Sequence, residues 1–343
     1  MEHEEFIKMA LSLAKRGMGW TEPNPLVGSV IVKDGRIVSR GFHRKFGEAH
    51  AEAAAIEAAG ERARGATLYV NLEPCCHSGK TPPCCHKIWK AGIKRVVASI
   101  EDPNPLVKGK GFAFLKEKGI EVIVGVGSEQ AEELNRHFLW FHRRGRPWVT
   151  GKMAMTSDGA TVWKEKWISS GRARKFAHWL RATHMGIMVG INTILNDNPK
   201  LNVRHPRFMG KKITKIILDS DLKINMDADV FKTGDRVIVF TASDRRFEME
   251  GVEIIRVPRR EYGLDLEEVL TVLAEKNIIS VLVEGGVTLM STLLKRGLLN
   301  ELYLVHSAKL GGTHRMEIPP VEIASAKVWH RADETFTQII LKS

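Results

Sequence analysis

All four cysteines of this chain fall between residues 75 and 85, as two adjacent pairs in "EPCCHSGKTPPCC". Any fold must bring those pairs to one place, so this stretch constrains the chain more than any other. The chain begins "MEHEEFIKMA", with no apolar leader, and it has no apolar run long enough to span a bilayer. A cytoplasmic protein is therefore expected, with no membrane partner. In a reducing compartment, clustered cysteines more often bind metal or do chemistry than form disulfides. Neighbouring side chains diverge, so one cysteine from each pair is the expected ligand. Pro74 and Pro83 each stiffen the residue that follows. Cys75 and Cys84 are therefore the expected pair, and Cys76 and Cys85 are expected to stay off that metal.

A third donor comes from "GEAHAEAAAIEAAG", residues 47–60. Its alanines favour helix, and Gly60 stands where a helix stops. His50 and Glu52 sit at its start. A His50/Cys75/Cys84 set leaves one position of a tetrahedral ion open, the mark of a catalytic rather than a structural zinc site. One Zn2+ per chain is expected. Zinc lowers the pKa of bound water to about 7, and Glu52 is the nearby carboxylate that can take and return the proton.

An H-x-E motif followed by P-C-x-x-C marks zinc nucleobase deaminases, with the glutamate as proton shuttle. Here His50-Ala51-Glu52 and Pro74-Cys75 match, but the second cysteine comes nine residues later. That long form resembles the deaminase half of the bifunctional riboflavin-biosynthesis deaminase/reductase family. The resemblance implies substrate contacts at Asn24 in "EPNPLVG", His43 in "GFHRKFGEAHAE", His77 and Lys80 between the cysteines, and Asn104 in "EDPNPLVKGKG". Asn24 and Asn104 each precede a proline, so a turn role stays open for both.

The rest of the first half alternates helices and strands. "FIKMALSLAKRG" has the pattern of an amphipathic helix, and Asp34-Gly35 joins two strand-like runs as a hairpin. A strand is expected at 67–72 and a helix from near Cys84. "KRVVASI" and "EVIVGV" read as buried strands around the helix "GKGFAFLKEKG". "SEQAEELNRHFLWFHRRG" reads as one helix, and the basic "HRRGRPW" at 142–148 as a junction. At 343 residues and 43% hydrophobic, the chain has material for two cores.

The second half alternates again: strand 148–155, helix 170–181, strands "GIMVG", "TKIILDS" and "RVIVF", a helix near 265–276, strand "ISVLVE", helix 287–296 and strand "ELYLVHSA". Beyond residue 311 only a terminal strand, "TQIILK", is legible. "VEGGVTLM" ends a strand in two glycines before a helix. Small residues there let backbone N–H groups approach a phosphate, although a tight connection explains the glycines equally well. "MVGINTILNDNPKLNVR" reads as an irregular binding loop after a strand.

These motifs, with "GKMAMTSDG", "LRA" and "ILDS", are similar to the reductase half of the same family. The resemblance implies an α/β architecture throughout: a cytidine-deaminase-like three-layer α/β/α domain over 1–146, then a dihydrofolate-reductase-like domain over 147–343. NADPH (NADP+ after reaction) would meet Ala154, Trp167, Thr193, Asp197, Ser220 and the turn Gly286, Val287, Thr288, Leu289, Met290, Ser291 and Thr292. Substrate would meet Arg181, Leu201, Arg204 and Glu284. Lys152 is the candidate that assists hydride transfer, since an ammonium beside the reacting oxygen stabilises developing charge or donates a proton. The family has serine where Glu165 stands, and the 313–343 tail matches loosely.

The net charge of +12 suits a phosphorylated pyrimidine substrate and NADPH. No basic stretch interleaved with aromatics marks a nucleic-acid module, so no nucleic-acid partner is expected. A homo-oligomer, dimer or tetramer, is expected. The competing reading is a zinc deaminase of nucleosides or tRNA whose C-terminal half only binds.

Overall fold

The computed structural model describes residues 3–76, 83–164, 167–316 and 318–342. The chain divides into two compact units, Met1–Gly145 and Arg146–Ser343.

The first unit contains α1 (His3–Ala14), β1 (Gly28–Lys33), β2 (Arg36–Phe42), α2 (Ala51–Ala59), β3 (Thr67–Val70), α3 (Cys84–Lys90), β4 (Arg95–Ala98), α4 (Lys110–Glu117), β5 (Glu121–Val124), α5 (Ser128–Leu134) and α6 (Arg136–Arg144). The strands form one sheet in the order β2-β1-β3-β4-β5. The β1–β2 hairpin turns at Asp34 and Gly35, both at positive φ (49° and 72°), as a type I′ turn requires. β3, β4 and β5 run parallel.

Successive residues of β1 face opposite sides of the sheet. A side chain at Gly28 would strike the Ala10 carbonyl of α1, whereas Ser29 Oγ donates to the Ala51 carbonyl of α2 at 2.7 Å. The two helices therefore cover opposite faces, which makes three layers. α2 presents Ala51, Ala55 and Ala59 inward at a four-residue spacing. Gly41 of β2 lets it come close, because a Cβ there would overlap the Ala51 carbonyl. Ser39 Oγ fixes the next turn by donating to Ala55 O at 2.7 Å. The start of α2, with His50 and Glu52, is thereby held rigidly against the sheet.

One expected helix is two. Between α5 and α6, Asn135 leaves helical geometry (φ −106°, ψ 20°). Its buried amide instead accepts from Leu26 N–H at 2.8 Å and donates to Leu26 O at 3.0 Å. A local helical pattern yields here to a tertiary hydrogen-bond pair.

The second unit contains β6 (Trp148–Thr156), β7 (Ala160–Val162), α7 (Gly171–Ala182), β8 (Gly186–Gly190), α8 (Ile191–Asp197), β9 (Thr214–Leu218), β10 (Val237–Thr241), β11 (Val252–Arg256), β12 (Arg259–Arg260), β13 (Gly263–Leu264), α9 (Leu266–Glu275), β14 (Ser280–Val283), α10 (Val287–Lys295), β15 (Glu301–Ser307), β16 (Thr313–Arg315), β17 (Ile323–Arg331) and β18 (Glu334–Leu341). Its main sheet runs β11-β10-β9-β8-β14-β6-β15-β18-β17. β11 to β15 are parallel, and β18 and β17 add an antiparallel hairpin. β14 shows how both faces are covered. Val281 and Val283 pack with Val269 and Leu273 of α9 and Met290 and Leu293 of α10, while Leu282 packs with Leu180 of α7 and Tyr303.

One expectation changes here. The supposed loop after β8 begins as helix α8, anchored by Ile194, which is buried among Ile187 and Val189. The terminal strand read at "TQIILK" is β18, and the tail before it, which was not legible, adds β16 and β17. β17 is an edge strand with nearly every residue exposed, so it lacks the alternation that marks a half-buried strand.

Candidate functional site

His50 is the N-cap of α2, and Cys84 is the first residue of α3. Cys75 lies in the segment that follows β3. His50 Nδ1 stands 3.4 Å from Cys75 Sγ and 3.4 Å from Cys84 Sγ. The Cys84 N–H donates to Cys75 Sγ at 3.5 Å. Two thiols and an imidazole thus converge on one point, a donor set suited to zinc. Glu52, in the first turn of α2, is 3% exposed and lines the same cavity. Burial raises its pKa to about 7, a value matched to proton transfer near neutrality.

Cys76 and Cys85 point away from this cluster and pair with each other as a disulfide. The two cysteine pairs are thus split, one member of each beside His50 and the other in the disulfide. Adjacent side chains diverge, so directing one of each pair to His50 leaves the other two facing each other.

The cavity, about 250 Å3, is also lined by Asn24, His43, Glu73, Cys75, Asp102, Asn104 and Phe138. His43 donates from Nδ1 to Ala49 O at 3.1 Å, which leaves Nε2 to accept from Asn24 Nδ2 at 3.1 Å. Burial lowers its pKa, so it stands neutral. Asn104 Oδ1 accepts from Leu106 N–H at 3.1 Å in a turn, which leaves its amide NH2 and the second lone pair of Oδ1 for a ligand. His77 and Lys80 lie outside the described residues, as does Glu165.

Two cavity residues had no sequence signal beyond the turn-like "EDPNP" and the "LEPCC" run. Asp102 is 6% exposed, and burial raises its pKa to about 7. Glu73 accepts four backbone N–H groups, from Asp102 (3.2 Å), Gly109 (3.0 Å), Gly111 (2.8 Å) and Phe112 (3.2 Å). It thereby shapes the segment that carries Asp102 and Asn104.

In the second unit, candidates gather where parallel strands end, the edge at which open α/β sheets bind ligands. Gly151 of β6 pairs with Val283 of β14, which sets Lys152 level with Glu284. Arg181 of α7 clamps Glu284 with two bonds, Nε–Oε1 at 2.8 Å and Nη2–Oε2 at 2.6 Å, and donates from Nη1 to Asn202 O at 3.2 Å. Burial lowers the Lys152 pKa. Among the described residues Lys152 makes no hydrogen bond or ion pair. Ala154 lies two residues on along β6, Thr193 and Asp197 lie on α8, and Ser220 follows β9.

The start of α10 is open. Gly286 is its N-cap, without a side-chain cap bond, and a Cβ on Gly286 would meet nothing within 4 Å. Val287, Thr288 and Leu289 form the first turn, with Ser291 and Thr292 one turn on. Met290 is fully buried against Gly151, so its side chain belongs to the core. Leu201, at φ 49°, is likewise buried among Ile187, Val189 and Ile194. Trp167 is 52% exposed, with the Arg174 guanidinium 5.0 Å from its ring centroid. His178 was not expected. It accepts the Arg204 N–H at 3.2 Å, and burial, then Arg181 and Arg204, lower its pKa to about 4.

A His/Cys/Cys cluster over a buried glutamate, in a three-layer unit, defines a zinc-dependent deaminase domain, here followed by a second α/β unit. Comparison with known proteins agrees. Residues 1–100 match the cytidine and deoxycytidylate deaminase zinc-binding region, and residues 147–337 match the RibD C-terminal domain. The riboflavin biosynthesis protein RibD of Bacillus amyloliquefaciens is 45% identical over 321 residues, 90% of this chain and 86% of that protein. Acinetobacter baumannii RibD (form 1) superposes with a TM-score of 0.91 at 34% identity, covering 99% of each chain. A Thermotoga maritima structure described as a diaminohydroxyphosphoribosylaminopyrimidine deaminase/5-amino-6-(5-phosphoribosylamino)uracil reductase superposes at 0.85 with 36% identity, again over 99% of each chain.

The chain belongs to the RibD family. It is a bifunctional deaminase/reductase of riboflavin biosynthesis, with a cytidine-deaminase-like zinc-binding domain and a dihydrofolate-reductase-like reductase domain. No helix among the described residues is long and apolar enough to cross a membrane.

Proposed function

We propose that the two units carry out the two reactions in the name of the Thermotoga maritima protein, in that order. The first removes the 2-amino group of 2,5-diamino-6-(5-phosphoribosylamino)pyrimidin-4(3H)-one by hydrolysis. The second reduces the ribosyl group with NADPH to give 5-amino-6-(5-phosphoribitylamino)uracil. The observation that carries the reading is the convergence of His50, Cys75 and Cys84 beside the buried Glu52.

His50, Cys75 and Cys84 would hold zinc, which supplies the Lewis acidity that makes water nucleophilic at neutral pH. Glu52 takes the proton from that water and returns it to the departing amine. Its burial raises its proton affinity, which favours its taking that proton. Asn24, held by His43, and the free amide of Asn104 orient the pyrimidine, and Asp102 faces it as a further polar partner.

In the second unit the bare helix start at Gly286 fits a cofactor phosphate, because its N–H groups lack a side-chain cap and open space lies before them. Those N–H groups would hold NADPH, whose chemistry there would be hydride donation. Arg181 and Arg204 are the cations available to the anionic substrate, with Glu284 orienting Arg181. Lys152, which makes no hydrogen bond or ion pair among the described residues, stabilises charge on the sugar oxygen or donates its proton. The thiol ligands suit a cytoplasmic setting. The exposed edge strand β17, with Ile323 and Val328 outward, favours a homo-oligomer; light scattering after size exclusion measures its size.

One assay tests the whole reading. The purified protein is incubated with the diaminopyrimidinone phosphate, with and without NADPH, and ammonia release and NADPH loss are followed separately. Ammonia without NADPH, and NADPH loss only after deamination, are the expected results. Ammonia release with no NADPH consumption at any stage would leave the second unit without its proposed reaction.

A further inference from the structure

The deaminase ligands account for two of the four cysteines. The other two, with the residue that follows them, make a second cluster: Cys76, Cys85 and His86 each place a donor atom within 4.8 Å of the others. This group shares no residue with His50, Cys75 and Cys84.

Three observations indicate that the cluster is built rather than incidental. Cys85 is fully buried and sits on α3, so its sulfur has a fixed origin. His86 is exposed, yet its ring stacks on Phe114 of α4 with centroids 4.4 Å apart and planes inclined at 20°, which sets the direction of its nitrogens. The Cys85 N–H donates to the Cys75 carbonyl at 3.1 Å. That bond holds the two cysteine segments together independently of any sulfur–sulfur bond, so opening the disulfide leaves the backbone arrangement in place.

We propose that Cys76, Cys85 and His86 form a second, redox-gated metal site, closed as a disulfide when oxidised and able to bind a thiophilic divalent cation such as zinc when reduced. Two sulfurs on one tetrahedral zinc lie about 3.8 Å apart, from a Zn–S length of about 2.3 Å. Modest side-chain rotation takes the pair from bonded to ligating. The redox step balances with a dithiol as reductant. Its two thiols give up two electrons and two protons and close to a cyclic disulfide, while Cys76 and Cys85 become thiols. The divalent ion then displaces both thiol protons, and His86 supplies the third donor, leaving one position for water. In a reducing cytoplasm the dithiol form prevails, so the second site would be available in the cell.

The test is metal stoichiometry on the full-length zinc-loaded enzyme. One sample is reduced with dithiothreitol, desalted without oxygen, equilibrated with buffered free zinc and analysed for zinc per chain. A parallel sample is first treated with oxidised glutathione. Two equivalents in the reduced sample and one in the oxidised sample are expected. Cys76→Ser should hold one equivalent in both states. His86→Phe, which keeps the ring on Phe114 but removes its nitrogens, should weaken the second equivalent at least tenfold in competition with a chelating dye while the first stays tight. One equivalent in both redox states overturns the proposal, as does a second equivalent that survives Cys76→Ser. Failure of the deaminase ligand assignment gives a different pattern, with the tight equivalent surviving Cys75→Ser.

Discussion

Replacing Gly286 by valine separates a cofactor cradle from a merely tight turn. Gly286 has φ −66° and ψ 172°, a conformation open to any residue, and a Cβ there meets nothing within 4 Å. The fold therefore does not need glycine at this position. The structural cost is the poorer N-cap, about 1 kcal/mol, or a melting shift of about 2–4 °C for a domain of this size. A phosphate approaching the first N–H groups of α10 would meet the valine methyls. Losing one charge-assisted hydrogen bond costs about 1.5–3 kcal/mol. The NADPH dissociation constant should therefore rise at least tenfold, about 1.4 kcal/mol or more. Gly285 is the internal control. A Cβ on it would lie 2.8 Å from Leu289 Cδ2 and 3.2 Å from Leu289 Cβ, so Gly285→Val overpacks the turn by about 1–3 kcal/mol. Calorimetric titration of NADPH into wild type and Gly286→Val, with melting curves for all three proteins, gives the answer. Ammonia release should be unchanged in Gly286→Val. The cradle argument fails if Gly286→Val binds NADPH within twofold of wild type. It fails equally if its melting point falls as far as that of Gly285→Val.

Four further outcomes are expected. Cys75→Ser and Cys84→Ser should lose the catalytic zinc and deamination, whereas Cys76→Ser and Cys85→Ser should keep both; elemental analysis beside an ammonia assay checks this. Glu52→Gln should retain zinc but lose about 10²–10⁴-fold in deamination rate, with reduction of the deaminated intermediate intact; loss of zinc from this variant would make Glu52 a ligand. Lys152→Met should lower the rate of NADPH oxidation with little change in NADPH affinity, separable as kcat against Kd. Burial pushes the Glu284 carboxyl up, but the Arg181 charge and hydrogen bonds outweigh it, and the net pKa is below its ordinary value. A depressed folded pKa gives stability that is present above the unfolded value, about 4.3, and is lost as pH falls through the folded value. The melting-point advantage of wild type over Glu284→Gln should therefore shrink below about pH 4.

What the sequence revealed, and what it hid, follows the range of the interactions involved. The cluster of His50, Cys75 and Cys84 was legible because its chemistry restricts residue type and spacing, and each residue stands beside a local marker, a helix start or a proline. The Asp34-Gly35 hairpin and the Gly60 helix end were legible for the same local reason, since left-handed backbone selects its residues. The break at Asn135 was not legible. Its cause is a pair of hydrogen bonds to Leu26, over a hundred positions away in sequence, and only the folded chain brings the two together. α8 was hidden because its inward face is little more than Ile194, too short a stripe to show a period. β17 was hidden because an edge strand exposed on nearly every residue has no alternation to read.

The site itself divides the same way. Residues of the kind that hold a metal or move a proton are drawn from a short chemical menu, so candidates for those roles could be named in advance. Residues that shape the cavity are not. Glu73 looked like the ordinary glutamate of a strand end, yet it gathers four N–H groups from the 102–112 segment. A buried carboxylate that accepts four backbone donors is a strong constraint, because removing it would leave those donors unsatisfied at about 1–3 kcal/mol each. Asp102 and Asn104 reach the cavity only because that segment is pinned. The wall of the deaminase cavity thus depends on a residue that does no chemistry, and its role follows from where the backbone N–H groups point, which no residue-by-residue pattern records.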